Sequence, residues 1–240
     1  MSAPVWVDEL AARFWAAAGP PPPFPRDLAV PATLGLPVRV KRLPGLSFAA
    51  VRDWLAASGV ACPTAEPDRA LRACLFTRVG YGFVFLDAAD PADEQRFSLA
   101  HEVAHFLRDY DAPRRAVVAR LGPAALDVLD GKRPPTAAER VHAVLREVPV
   151  AAHVHLLRRD DAGRPGSPAE REAEAAADRL AFELLAPAEL LAAATSRDAV
   201  EQRLRTAFGL PDLPAATYAR VLWPDLDPTD SFLERLRKSR

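Results

Sequence analysis

Cysteine is nearly absent from these 240 residues: Cys62 and Cys74 stand alone, and neither belongs to a C-x-x-C pair. A disulfide framework is therefore excluded, and the two thiols read as small buried or half-buried side chains of a reducing compartment. The first residues, MSAPVWVDEL, carry acid early and no basic stretch ahead of an apolar one, so a secretory signal is not expected. Apolar runs are short, none reaching the roughly 18 residues that a membrane-spanning helix needs. An excess of positive charge is missing as well: 31 basic residues face 32 acidic ones, for a net charge of -1. Phosphate binding gains nothing from that balance. These absences predict a cytoplasmic protein with neither a membrane nor a nucleic acid as direct partner. No internal repeat shows.

What is present describes an ordinary globular chain, 50% apolar and 26% charged, long enough for one well-cored domain with extensions. Residues 5–18 carry apolar groups at helical spacing, and Gly19 with the prolines at 20–23 must end that helix. The expected division is an N-terminal helix with a stiff proline-rich spacer over 1–35, a main domain over 36–215 and a tail over 216–240. A short strand is expected at 38–40, and a helix at 47–58 closed by Gly59. Two β-rich runs, 71–77 and 81–86, surround Gly80 as a hairpin. Asp90 and Pro91 are expected as N-cap and first residue of a helix with Asp93 and Glu94 in its first turn, running to Tyr110. Ser167, Pro168 and Glu170 form the capping box of a second helix that ends at Pro187. Between them, about 111–166, lie further helical pieces (117–129 and 137–146), and the whole stretch reads as a helical insertion. The fold class predicted is α+β, a small, mainly antiparallel sheet packed on two helices.

His101-Glu102-Val103-Ala104-His105 places two imidazoles at i and i+4, about 6 Å apart on one side of a helix, the reach two ligands of one zinc ion require. Glu102, next to the first of them, is placed to take a proton from water. Phe97, Ala100, Ala104 and Leu107 give that helix a packed side that can fix the rings. With five histidines in the chain, a chance H-E-x-x-H is improbable. A catalytic zinc (Zn2+) needs a third protein ligand and an open position. Glu174 fits best: Asp178 follows at i+4, so one carboxylate can reach the metal while the other orients a ligating imidazole. Glu170 and Glu172 compete for the ligand role, and a salt-bridged surface is the alternative for this helix.

The stretch from Glu94 to Leu107 (EQRFSLAHEVAHFL), followed by that from Glu174 to Pro187 (EAAADRLAFELLAP), resembles the ImmA/IrrE family of metallo-endopeptidases over roughly residues 36–215. In that family an R-F-x-L-A-H-E-x-x-H helix pairs with an E-x-x-A-D-x-x-A-x-x-L-L-x-P helix. The resemblance implies a zincin-like domain with zinc at His101, His105 and Glu174, and Glu102 as catalytic base. It also implies an intracellular protein substrate, often a helix-turn-helix repressor whose cleavage releases a stress, mobile-element or DNA-damage response. Three features depart from the family pattern. The segment between His105 and Glu174 is long, Val103-Ala104 replaces the usual Leu-Gly, and Ala186 stands where methionine is frequent.

His153 and His155 alternate, so on a strand they share a face and can supply a transition-state donor or a substrate contact. Tyr110, beside the motif in sequence, is a further candidate for such a contact, and Tyr81 is another. His142 reads as solvent-exposed. The alternative function is a regulatory or interaction protein that binds metal without proteolysis. A third reading, DNA binding through helices at 197–208 and 213–222, is opposed by the neutral charge.

Overall fold

The computed structural model describes residues 3–62, 67–141, 153–158 and 167–224. Its elements in chain order are α1 (Val5–Ala18), α2 (Ala29–Gly35), β1 (Val38–Leu43), α3 (Phe48–Ala57), β2 (Leu71–Arg78) and β3 (Tyr81–Asp87). There follow α4 (Ala92–His105), a π-helical turn (Phe106–Asp111), α5 (Ala112–Leu121), α6 (Leu126–Leu129) and α7 (Ala137–Val141). The chain continues through β4 (His153–Arg158), α8 (Pro168–Leu185), α9 (Arg197–Thr206) and α10 (Asp212–Leu222). Among the described residues, no helix is long and apolar enough to cross a membrane.

The four strands form one sheet in the order β1-β3-β2-β4. β1 runs parallel to β3, while β2 is antiparallel to both β3 and β4, so the expected α+β class with a mainly antiparallel sheet is what forms. Strand parity sorts the two cores. Ala73, Leu75, Val84 and Leu86 face one cluster with Leu99 and Val103 of α4 and with Leu180 and Leu184 of α8. Cys74, Phe76 and Phe85 face the other, with Phe48, Val51 and Leu55 of α3. The sheet is thus covered on both faces, which is why β2 is buried almost throughout rather than at alternate positions.

The hairpin is as expected. Arg78 pairs with Tyr81, leaving a two-residue loop of Val79 (φ 51°) and Gly80 (φ 82°), both left-handed, as a type I′ turn requires. Valine in that region is rare, and its neighbour is anchored: the Gly80 N–H donates to the Tyr110 hydroxyl at 2.8 Å.

Local signals place α8 well. The Ser167 hydroxyl accepts from the Glu170 N–H, and the Glu170 carboxylate accepts from the Ser167 N–H. Such a cap contributes about 1 kcal/mol. Three boundaries differ from expectation. The chain turns through Asp87, whose carboxylate accepts from Gly45 and Ala89, so Pro91 rather than Asp90 occupies the N-cap of α4, without a side-chain cap. The α-helical period stops at His105 and gives way to the π-helical turn. Gly122 (φ 81°) and Pro123 split the helix expected over 117–129 into α5 and α6. Of the helix expected over 137–146, α7 is seen; the remainder and His142 lie outside the described residues.

The proline-rich stretch does not hold α1 at a distance. Val7 and Phe14 are fully buried in the cluster that contains α4 and α8, and α1 packs on α2 and α8. Burying Phe14 contributes about 1.5–3 kcal/mol toward docking the helix, and Val7 and Ala11 are buried with it.

Close approach matters at Gly82 on β3, where an added Cβ would meet the Phe106 ring at 2.9 Å and Val38 at 3.0 Å. Phe106 is 1% exposed and has no room to move aside. Gly82→Ala is therefore expected to destabilise the protein by about 1–3 kcal/mol through overpacking, read as a lower urea midpoint at unchanged m-value. An unchanged midpoint would show that this helix–sheet contact is loose.

Candidate metal centre

His101, Glu102 and His105 lie in the last turns of α4 and are 2%, 0% and 2% exposed. Three polar side chains are buried there because α4 is held between the sheet and α8. Alanines at the helix contact, Ala100 and Ala104 on α4 and Ala177 and Ala181 on α8, are fully buried and allow the close crossing. Across it, α8 presents Glu174 and Asp178 one turn apart.

Each motif imidazole is tied down on one side by a carboxylate. His101 Nδ1 lies 2.9 Å from Asp178 Oδ1, and His105 Nδ1 lies 2.7 Å from Asp109 Oδ2. A carboxylate opposite Nδ1 holds the proton there and leaves Nε2 with its lone pair. The two Nε2 atoms then face each other at 3.1 Å, with Glu174 Oε2 3.2 Å from His101 Nε2 and Glu174 Oε1 3.5 Å from His105 Nε2. Ligand bonds of 2.0–2.1 Å in a tetrahedron give edges of about 3.3 Å, and the separation of the two rings and of each ring from its nearer Glu174 oxygen lies close to that. Two lone pairs and a carboxylate at such distances repel unless a proton or a cation lies between them. The residues present fit the metal.

Arg108 braces this arrangement. Its Nε donates to Asp109 Oδ1 at 2.6 Å and its Nη1 to the Ala173 carbonyl at 2.6 Å, joining the partner of His105 to the residue before Glu174.

A third imidazole arrives from β4. His155 pairs with Leu75, and directly opposed residues share a face, so its ring enters on the α4 side. Its Nδ1 lies 2.9 and 3.2 Å from the two Glu102 oxygens, and its Nε2 lies 2.9 Å from Glu174 Oε1. Its ring stacks on His105 with centroids 3.7 Å apart. Among the described residues, His101, His105, His155 and Glu174 form a group whose ligand atoms all lie within 4.8 Å of one another.

The electrostatics follow from crowding acids and imidazoles without an ion. Burial depresses the His101 pKa, but hydrogen bonds with Asp178 and Glu174 outweigh it and push the value up to about 10. Burial likewise depresses His155, and the charge and hydrogen bonds of Glu102 and Glu174 raise it to about 9. For Glu174 burial acts upward, yet hydrogen bonds from the three imidazoles hold its carboxyl well below the usual carboxylate range. Asp109 is lowered too, burial being outweighed by His105 and Arg108. Protons on imidazole thus supply the positive charge that the acids call for, and a divalent ion must displace them.

The structure therefore brings together His101, Glu102, His105, Glu174, Asp178 and His155. Of the competing acids, Glu170 serves the α8 cap and Glu172 is exposed. Tyr110 is 1% exposed, and its hydroxyl accepts from the Gly80 N–H in the hairpin loop. Tyr81 is 64% exposed at the hairpin tip. His153 pairs with Thr77 through the backbone, and its side chain lies outside what is described. Asp109 and Arg108 were not expected from sequence. The signal was available, because Asp109 follows His105 at the same i+4 spacing that links Asp178 to Glu174.

Comparison with known proteins agrees with this geometry. The family model of the IrrE N-terminal-like domain, a peptidase family, matches residues 64–124. The matched segment covers the hairpin, α4 with the whole H-E-x-x-H, the π-helical turn and α5, and it stops short of α8. No curated protein and no solved structure matches the chain. The resemblance read from the motifs is borne out by this match, and together with the His/His/Glu cluster it supports a metallopeptidase that acts on protein.

Two outcomes are expected. Because the folded pKa values of His101 and His155 lie above the ordinary 6.5, protonation stabilises the metal-free fold fully below pH 6.5. That contribution is lost as pH rises toward 9 and 10. Zinc binds the deprotonated rings, so the thermal shift between zinc-loaded and chelator-treated protein should widen with pH over this window; a flat difference would count against the coupling. Asp178→Asn should weaken zinc about 10–100-fold in a chelator competition, and unchanged affinity would deny Asp178 its orienting role.

Proposed function

We propose that the chain is a zinc-dependent endopeptidase that cuts an intracellular regulatory protein, with a helix-turn-helix repressor as the first substrate to try. His101, His105 and Glu174 would hold the ion, Asp178 would orient His101, and Glu102 would be the general base. The observation that carries this reading is the pair of Nε2 atoms facing each other at 3.1 Å while both Nδ1 atoms are engaged by carboxylates. Two imidazoles and one carboxylate favour zinc over magnesium or calcium, which prefer oxygen donors throughout. The regulatory substrate rests on the resemblance to the ImmA/IrrE family.

When bound, zinc supplies Lewis acidity, which polarises a peptide carbonyl and acidifies water. The chain's own groups do the rest. Glu102 accepts the proton of the attacking water at its carboxylate and returns it to the leaving amine. Asp178 and Asp109 keep the Nδ1 protons in place, so the rings do not turn or change tautomer between those two transfers. β4 is the sheet edge that carries a residue of the site, and an extended substrate segment can add to that edge by backbone pairing.

A second reading, a regulatory protein that binds metal without cutting, is favoured by one observation: Glu102 is 0% exposed and both its oxygens face His155. Cleavage of a purified repressor separates the two. Glu102→Gln should retain one zinc per chain and lose about 10²–10⁴-fold in cleavage rate, the usual contribution of a positioned base. A Glu102→Gln variant that still cuts removes the base assignment. Wild-type protein that holds zinc and cuts none of the regulators offered supports the second reading.

A further inference from the structure

A general base must come within about 2.6–3.2 Å of the proton it takes, directly or through one water. Glu102 has no such freedom here: it is 0% exposed, and His155 Nδ1 stands 2.9 and 3.2 Å from its two oxygens. The far side of the same ring reaches the ligand carboxylate, with His155 Nε2 2.9 Å from Glu174 Oε1. One imidazole therefore spans the base and the third metal donor, the space a scissile peptide and its water would need. A third observation concerns ligand chemistry. Catalytic zinc keeps one position open, whereas zinc with four protein ligands is a closed, structural arrangement. His155 adds a fourth donor to His101, His105 and Glu174, all within 4.8 Å of one another. Its Nδ1 rests on a carboxylate just as theirs do, with Glu102 in the place that Asp178 and Asp109 take for the other two rings.

The strand that carries His155 lies at an edge of the sheet. Among the described strands β4 pairs with β2 alone, and the register slips between Leu71 and Ala73. An edge strand with an irregular ladder is displaced more readily than an inner one.

We propose that His155 is an internal plug of the metal centre: it seals Glu102 and the fourth coordination position, and it must swing away before a peptide substrate can reach them. The described conformation is accordingly a latent one. This rests on the metal-centre reading above, and its test needs no turnover.

Cobalt(II)-substituted protein is titrated with acetohydroxamate, a small metal chelator that needs free coordination positions, and binding is followed in the visible spectrum. If the plugged state outnumbers the open one by ten to one or more, apparent affinity in the wild type is reduced by about tenfold or more. His155→Ala should recover that factor. His155→Gln, whose amide can keep one bond to Glu102, should recover part of it. Metal content and circular dichroism certify each variant. A gain in either variant that holds full cobalt supports the plug, and equal affinity in wild type and variants overturns it. The unsubstituted protein gives an independent reading through the His155 ring signals of a ¹⁵N-histidine-labelled zinc sample. These should move when acetohydroxamate binds, and binding that leaves them in place overturns the proposal. Hydroxamate affinity is independent of peptide cleavage, so failure of the plug is distinguishable from failure of the peptidase reading, which Glu102→Gln decides.

Discussion

Two nitrogen lone pairs aimed at one point impose the constraint on which the rest of this fold depends. The convergence is held from behind: Asp178 and Asp109 grip the outer nitrogens of the two rings, so that neither can rotate to relieve the crowding between the inner ones. Asp178 comes from α8 and Asp109 from the turn after α4, which makes the helix crossing itself part of the centre. Small side chains at the crossing permit the approach, and Arg108 fastens it by bonding Asp109 and the Ala173 carbonyl together. Packing sets the distances and electrostatics sets the occupant, since a group with this many acids is neutral only with protons or a cation inside.

Local chemistry was the legible part of the sequence. The capping box at Ser167, the glycine at the hairpin turn and the i, i+4 pairs on α4 and α8 each act over a few residues, and each forms as expected. For Tyr110, nearness to the motif in sequence says nothing of direction; its hydroxyl meets the hairpin loop. Asp109 stands at i+4 from His105, a local signal, but it is one of several charges after the motif and the spacing alone does not say which of them turns toward the ring. His155 was legible as a candidate but not as a neighbour of Glu102. Its place follows from the pairing of β4 with β2, and non-local register depends on how the two covered faces of the sheet are filled. The N-terminal helix shows the limit of reading prolines as spacers, because Phe14 finds the common core in spite of them.

The sheet contributes more than support. Its two faces do different work, one completing a hydrophobic cluster with α3 and the other forming the wall against which α4 presents its motif. Alternation along β4 distributes a single strand between both tasks, with Val154 and Leu156 packed on the α3 side and His155 turned toward the acids. A shift of one residue in that pairing would exchange the histidine for a branched apolar side chain, so strand register and the chemistry of the centre are the same specification.

The π-helical turn after His105 has a mechanical meaning. It inserts extra backbone at the end of the motif helix, and from it consecutive residues depart in different directions: Asp109 toward the imidazole, Tyr110 toward the hairpin loop. Neighbours in the chain are joined by one planar peptide, so their Cα atoms stay a fixed distance apart. The loop of Val79 and Gly80, remote from the centre in sequence, and the ring of His105 are thereby held by two adjacent residues of one short stretch of backbone.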